Sequence, residues 1–178
     1  MAGRLPIFKT VLIGEGGVGK TSITLRYTEN RFDEEMKMTI GVNFASKKMV
    51  VDNTNVTLML WDLGGQPRFR DVVSDYFRGT RIAIAVYDAT RLFSLQRLTD
   101  WIERLKENAP DCEIIFVGNK IDERENGGGV TPEDCAEMAE KYGSALCMEV
   151  SAKTGEGVAE MFEAATKMIL EKHADLFV

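Results

Sequence analysis

Gly14-Glu15-Gly16-Gly17-Val18-Gly19-Lys20-Thr21 has the spacing G-x-x-x-x-G-K-[ST], and those residue types at that spacing can hold a chain of phosphates. The glycines let the backbone wrap a phosphate with successive N–H groups turned inward, and a helix N-terminus behind them adds partial positive charge. Lys20 would reach the β and γ phosphates, the Thr21 hydroxyl would ligate Mg²⁺, and Ser22 adds a further nucleotide contact. A plain Gly-rich turn is the rival reading. The apolar run 7–13 before the loop and the helical spacing after it favour the phosphate loop, because strand, loop and helix fall in the order the motif requires.

Three later stretches carry compatible chemistry. Asp62-Leu63-Gly64-Gly65-Gln66 follows the apolar-rich run 55–62, so a strand delivers an aspartate at its C-terminal end, the layout of a Mg²⁺-holding carboxylate. Gly65 would offer its N–H to a γ-phosphate. Asn119-Lys120-Ile121-Asp122 follows the run 113–118. A carboxylate at Asp122 can accept both N1–H and N2–H₂ of guanine, a donor pair adenine lacks, while the Lys120 stem lies along the base plane and Asn119 ties loops together. Ser151-Ala152-Lys153 would complete that pocket with the Ala152 N–H aimed at guanine O6.

The elements that position these groups are strands at about 7–13, 42–51, 55–62, 82–87, 113–118 and 145–150, with helices after the first loop, at 68–79, 92–108, from Thr131 and at about 156–173. Residues 30–41 have no periodicity and form a long loop of the kind that carries function. Asp52-Asn53-Thr54-Asn55 is a hairpin turn, and Thr131-Pro132-Glu133-Asp134 is a helix start with Thr as N-cap. The alternation predicts an α/β three-layer fold: a six-stranded, mainly parallel sheet with one antiparallel edge strand and helices on both faces. Ligands of such sheets bind at the strands' carboxyl ends, where every stretch above falls.

Length and composition agree with one domain spanning 1–178, its core about 7–172. A net charge of −6 argues against nonspecific nucleic-acid binding. No apolar run reaches the length of a membrane span. Cys112, Cys135 and Cys147 have no metal or redox spacing and read as reduced thiols of a cytoplasmic protein, and the single His173 rules out a Ser-His-Asp triad.

Over roughly 7–172 the chain resembles the small GTPases of the Ras superfamily, with a small G domain of the P-loop NTPase class. All five nucleotide motifs stand in order: 14–21, Thr39, 62–66, 119–122 and 151–153. It is most similar to the Rab family, through Thr39-Ile40-Gly41-Val42-Asn43-Phe44, Trp61-Asp62, Gln66-x-Arg68-Phe69-Arg70, Tyr76-Phe77-Arg78-Gly79 and Val86-Tyr87-Asp88-Ala89-Thr90. The resemblance implies a GTP-binding, GTP-hydrolysing molecular switch with Mg²⁺ as cofactor, GTP as substrate and GDP as product. Thr39 would bind Mg²⁺ and sense the γ-phosphate, making 31–41 the first switch, and Phe32 would lie against guanine. Gln66 would orient the attacking water, making about 64–77 the second switch, and Gly16 would leave Gln66 room. Ile40, Phe44, Trp61 and Tyr76 would face effector proteins; exchange factors and GTPase-activating proteins are further expected partners of a monomer.

Several residues depart from the Rab pattern. Asp62-Leu63-Gly64-Gly65-Gln66 is closer to the Arf and Gα form, Pro67 stands where an acid is usual, and Met36 stands where many relatives carry a tyrosine over the phosphates. The chain ends at Leu176-Phe177-Val178 without a cysteine and begins Met1-Ala2-Gly3, so no lipid anchor is expected on it as given. Membrane association would then need a missing tail or a partner. Two rival readings stand beside the switch: a nucleotide-bound scaffold with negligible turnover, consistent with Pro67 and Met36, and a P-loop phosphotransferase, which would need a lid insertion the sequence does not contain.

Overall fold

A computed structural model describes residues 5–66, 71–126, 128–144 and 146–174. The order of elements is β1 (Ile7–Ile13), α1 (Lys20–Glu29), β2 (Val42–Val51), β3 (Thr54–Leu63), β4 (Ile82–Asp88), α2 (Leu92–Gln96), α3 (Leu98–Asn108), β5 (Glu113–Asn119), α4 (Pro132–Lys141), β6 (Cys147–Glu149) and α5 (Val158–Lys172). The sheet runs β2-β3-β1-β4-β5-β6, with only β2 and β3 antiparallel. The expected α/β sheet with one antiparallel edge strand is therefore present.

The causes are local patterns. Every residue of β4 is buried, as a central parallel strand covered on both faces requires. In β3 the buried residues alternate, so Val56, Leu58 and Leu60 enter the core while Trp61 points to the other face. Asp52 and Asn53 both take positive φ, at 47° and 63°, and bring Val51 opposite Thr54, the two-residue turn whose twist suits a hairpin. Thr131 caps α4 as expected: its side chain accepts from the Asp134 N–H at 3.1 Å, and Asp134 accepts from the Thr131 N–H at 2.8 Å.

Three expectations change. The helix expected at 92–108 is two helices meeting at Arg97, a single turn residue with a ψ of −15° whose N–H still donates to the Phe93 carbonyl at 3.0 Å. Of the helix expected at 68–79, residues 68–70 lie outside the described residues, and the remainder holds a 3₁₀ turn at Val73–Tyr76. Valines, serine and aspartate are weak helix formers, and Gly79 at a φ of 76° ends the segment.

The third correction concerns the thiols. Cys135 and Cys147 form a disulfide, with Cα atoms 6.3 Å apart, whereas Cys112 is free. Spacing along the chain gave no hint of it, because α4 and the edge strand β6 meet only through the fold. Cross-linking across 12 residues should stabilise the oxidised chain by about 3 kcal/mol through loop entropy. We expect Cys147→Ala, on the exposed side of the bond, to lose about 2–3 kcal/mol in urea unfolding without reductant. With reductant, the difference from wild type should vanish.

Candidate functional site

The strands β1, β3, β4 and β5 end at one edge of the sheet, and a cavity of about 270 Å³ opens there. Gly16, Gly17, Gly19, Lys20, Thr21, Ser22, Phe32, Thr39, Gly65, Asn119, Lys120, Asp122, Ala152 and Lys153 line it, so the expected phosphate and guanine stretches converge on a single space. Gly14, Val18 and Ser151 sit behind this lining in the loops they were assigned to.

At the phosphate end, Lys20 is 5% exposed and its ammonium donates to the Gly14 carbonyl at 2.8 Å and the Glu15 carbonyl at 2.9 Å. Burial lowers its pKa to about 8, against the attraction of Asp62 and Glu15. Glu15 itself faces Arg97 at 3.4 Å, which ties the loop to the junction of α2 and α3. Gly65 lies so close that a Cβ there would sit 2.8 Å from the Gly14 carbonyl and 2.5 Å from the Glu15 carbonyl carbon, so this contact needs glycine. The Gly64 N–H reaches the Gly41 carbonyl at 2.8 Å, joining the end of the first expected switch to the start of the second.

Three oxygen donors meet beside Lys20. Thr21 Oγ1 donates to Asp62 Oδ2 and also contacts Thr39 Oγ1. The other carboxylate oxygen, Asp62 Oδ1, is buried with no hydrogen-bond partner among the described residues. Burial raises the pKa of Asp62, while the Thr21 hydroxyl, the Lys20 charge and Asn43 oppose that rise. Two hydroxyls and a carboxylate with an orphaned oxygen form an all-oxygen set that suits a hard divalent cation.

At the opposite end, Asn119 Nδ2 donates to the Val18 carbonyl at 3.0 Å, and Asn119 Oδ1 accepts from the Ala152 N–H at 3.0 Å. Asn119 thus ties three loops together, as its position in the sequence implied. Ser151 Oγ donates to Asp122 Oδ1 at 2.6 Å and steadies the carboxylate expected to face guanine.

Two further contacts bear on the expected site residues. The Ala152 N–H, assigned to guanine O6, is held here by Asn119, so a base must share or exchange that bond. A Cβ at Gly16 would meet the Met38 methyl of the first expected switch at 3.0 Å. Met36 also lines the cavity, its sulfur 3.9 Å from Ser22 Oγ. Gln66 is the last described residue before 67–70; Pro67, Arg68, Phe69 and Arg70 lie outside the described residues, as do the two chain ends.

A family model described as the Ras family matches residues 9–171 of this chain. The chain belongs to the Ras family. Over 169 residues it is 41% identical to the Ras-related protein Rab-4 of Dictyostelium discoideum, covering 94% of this chain and 82% of that protein. It is also 38% identical over 169 residues to the Ras-related protein Rab-18-B of Danio rerio, covering 94% and 81%. It is thus a Rab-like small GTPase of the Ras superfamily. Against that family, the three aromatics singled out in the sequence form one cluster. The β2–β3 register sets Phe44 opposite Trp61, with ring centroids 4.7 Å apart at 77°, and Trp61 lies 5.9 Å from Tyr76 at 60°. Phe44 is 59% and Ile40 80% exposed, while Trp61 and Tyr76 are half-buried. The Lys9 ammonium sits 3.7 Å from the centroid of the Trp61 ring and donates to the Arg78 carbonyl at 2.8 Å.

Sequence reading missed Lys9, Arg97 and Arg26 in this Rab-like site. Arg26 donates from α1 to the Ala152 carbonyl at 2.8 Å and the Lys153 carbonyl at 2.6 Å, holding the loop after β6 from behind. No local signal marks an arginine in mid-helix for that role. Among the described residues no helix is long and apolar enough to cross a membrane.

Proposed function

We propose that this chain is a GTP-hydrolysing switch of membrane trafficking, in which Gln66 orients the attacking water and Lys20 with the loop N–H groups stabilises charge on the transferred phosphate. The convergence of the Asn119, Asp122 and Ser151 cluster with the Lys20 cradle in one cavity carries the reading. Asp122 accepts the two guanine donors, Lys120 lies along the base, and Phe32 closes the slot. Thr21, Thr39 and Asp62 would hold Mg²⁺, directly or through water, and the ion when bound supplies further positive charge to the phosphates. Thr39 and the Gly65 N–H sense the γ-phosphate, so its loss frees both switches. Ile40, Phe44, Trp61 and Tyr76 then cease to form one effector surface. No arginine among the described residues lines the cavity, so intrinsic turnover is slow and an arginine supplied by an activating protein raises it by roughly 10³- to 10⁵-fold.

The test is phosphate release from GTP by wild type and Gln66→Leu. The variant should bind GTP within about threefold of wild type and hydrolyse it roughly 10- to 100-fold more slowly. Equal rates would remove Gln66 from the mechanism. No release from either protein, with tight GTP binding, would favour the scaffold reading, which Met36 and Met38 over the phosphate loop support. Effective competition by ATP would favour a phosphotransferase.

A further inference from the structure

Asp88 is the last residue of β4, is 4% exposed, and takes no part in the reading above. Parallel pairing sets it beside Asn119, and the Ala89 N–H binds the Asn119 carbonyl at 2.8 Å, so β4 and β5 end together at the guanine side of the cavity. Its backbone is fixed by Ser94: the Asp88 N–H donates to Ser94 Oγ at 2.8 Å. Its carboxylate is divided in function. Oδ1 accepts from the Thr90 N–H at 2.9 Å and the Thr90 hydroxyl at 2.6 Å. That leaves Oδ2 to face two cations, the Lys120 ammonium at 3.5 Å and the Arg91 guanidinium at 3.4 Å.

Lys120 needs such an anchor. It sits at a φ of 68° between the end of β5 and a 3₁₀ turn, a left-handed conformation that long side chains rarely take. Its four-carbon stem has to lie flat along one side of the base slot to be of use, yet a free lysine stem samples many rotamers. A fixed carboxylate at the far end of the stem selects the flat arrangement. Burial would raise the pKa of Asp88, but the Thr90 bonds and the two cations outweigh burial and bring it below the usual carboxylate value, so the anchor is ionised at neutral pH.

We propose that Asp88 is a positioning residue for guanine nucleotide, holding the Lys120 stem as a preformed wall of the base slot. The proposal rests on the guanine reading of the cavity and adds a residue to it. Arg91 shares the carboxylate but has a side chain 56% exposed, so it is the dispensable cation of the two. Thr90 acts one step further back by locking Oδ1.

The experiment measures dissociation of a fluorescent GDP analogue from wild type, Asp88→Asn, Lys120→Met and the double variant. Asparagine keeps the shape and the Thr90 bonds while removing the charge. Asp88→Asn should release nucleotide about tenfold faster than wild type, whereas in the Lys120→Met background it should change the rate less than twofold. A purely structural role would give the same acceleration in both backgrounds and would overturn the proposal. So would a wild-type rate in Asp88→Asn, or the same acceleration from Arg91→Ala, which should release nucleotide as wild type does. Thr90→Val gives a second approach should Asp88→Asn fail to fold: it should accelerate release severalfold, again only where Lys120 is present, and additivity there would count against the anchor. Failure of wild type to bind the analogue at all would instead refute the guanine reading itself.

Discussion

Asp122→Ala should lower affinity for GDP and GTP by about 10²- to 10⁴-fold while leaving the fold intact. On the proposed guanine contact, each hydrogen bond from the base to this carboxylate contributes roughly 1.5–3 kcal/mol, and alanine removes two of them together. The loss falls on the base and not on the phosphates, because the Lys20 cradle lies at the other end of the cavity. Discrimination between guanine and adenine nucleotides should collapse in the same variant, which competition binding with GDP and ADP would measure. Asp122→Asn gives a sharper result. An amide offers one acceptor and one donor where the carboxylate offers two acceptors, so it no longer suits the N1–H and N2–H₂ pair. It should instead favour a base with a carbonyl where guanine has its amino group. Ser151, which donates to Asp122 Oδ1 at 2.6 Å, can still donate to the asparagine carbonyl oxygen, so the loop geometry is kept. Wild-type base preference in Asp122→Asn would remove Asp122 from the guanine contact.

What could be read from the sequence divides along the range of the interaction. The phosphate loop and Asn119-Lys120-Ile121-Asp122 are short segments whose function depends on neighbours in sequence, and both stand where they were expected. The six strands were legible because a sheet covered on two faces needs continuous apolar runs, and β4 is the extreme case. Contacts made by sheet order were not legible. Arg26 and the Ala152 carbonyl are 126 residues apart and meet because α1 packs beside the loop after β6. Cys135 and Cys147 meet because β6 is the sheet edge that α4 covers, and nothing in their spacing says so. The break at Arg97 was hidden for a similar reason: the apolar spacing of 92–108 runs through it, while its guanidinium reaches Glu15 in a loop 82 residues earlier in the chain. Short-range pattern names the chemistry, and topology supplies the residues that hold it in place.

Lys20→Ala should separate binding from stability, moving them in unequal measure. Its ammonium is the cation that the β and γ phosphates would meet, and removing charge-assisted bonds to two phosphate groups should cost about 3–6 kcal/mol, roughly 10²- to 10⁴-fold in affinity for GTP. Lys20→Arg should not rescue binding. The ammonium fits between two carbonyls at 2.8 and 2.9 Å, and a planar guanidinium is too wide for that position. Stability follows a different rule. A lysine whose pKa falls from 10.5 unfolded to about 8 folded is held protonated in the fold at a cost of roughly 3 kcal/mol at neutral pH. That cost is complete below about pH 8 and fades as the pH rises toward 10.5, so the stability of the empty wild-type protein should increase across that interval. Alanine removes the cost along with the two carbonyl hydrogen bonds, whose net contribution is of similar size at about 1.5–3 kcal/mol each. The empty variant should therefore unfold within about 3 kcal/mol of wild type at pH 7, and its stability should no longer rise between pH 8 and 10.5. Urea unfolding of both proteins at pH 7 and pH 9.5, without nucleotide, checks this. A variant that keeps the wild-type rise with pH would show that another group titrates there, and a large loss of stability at pH 7 would mean that Lys20 holds the fold together as well as the phosphates.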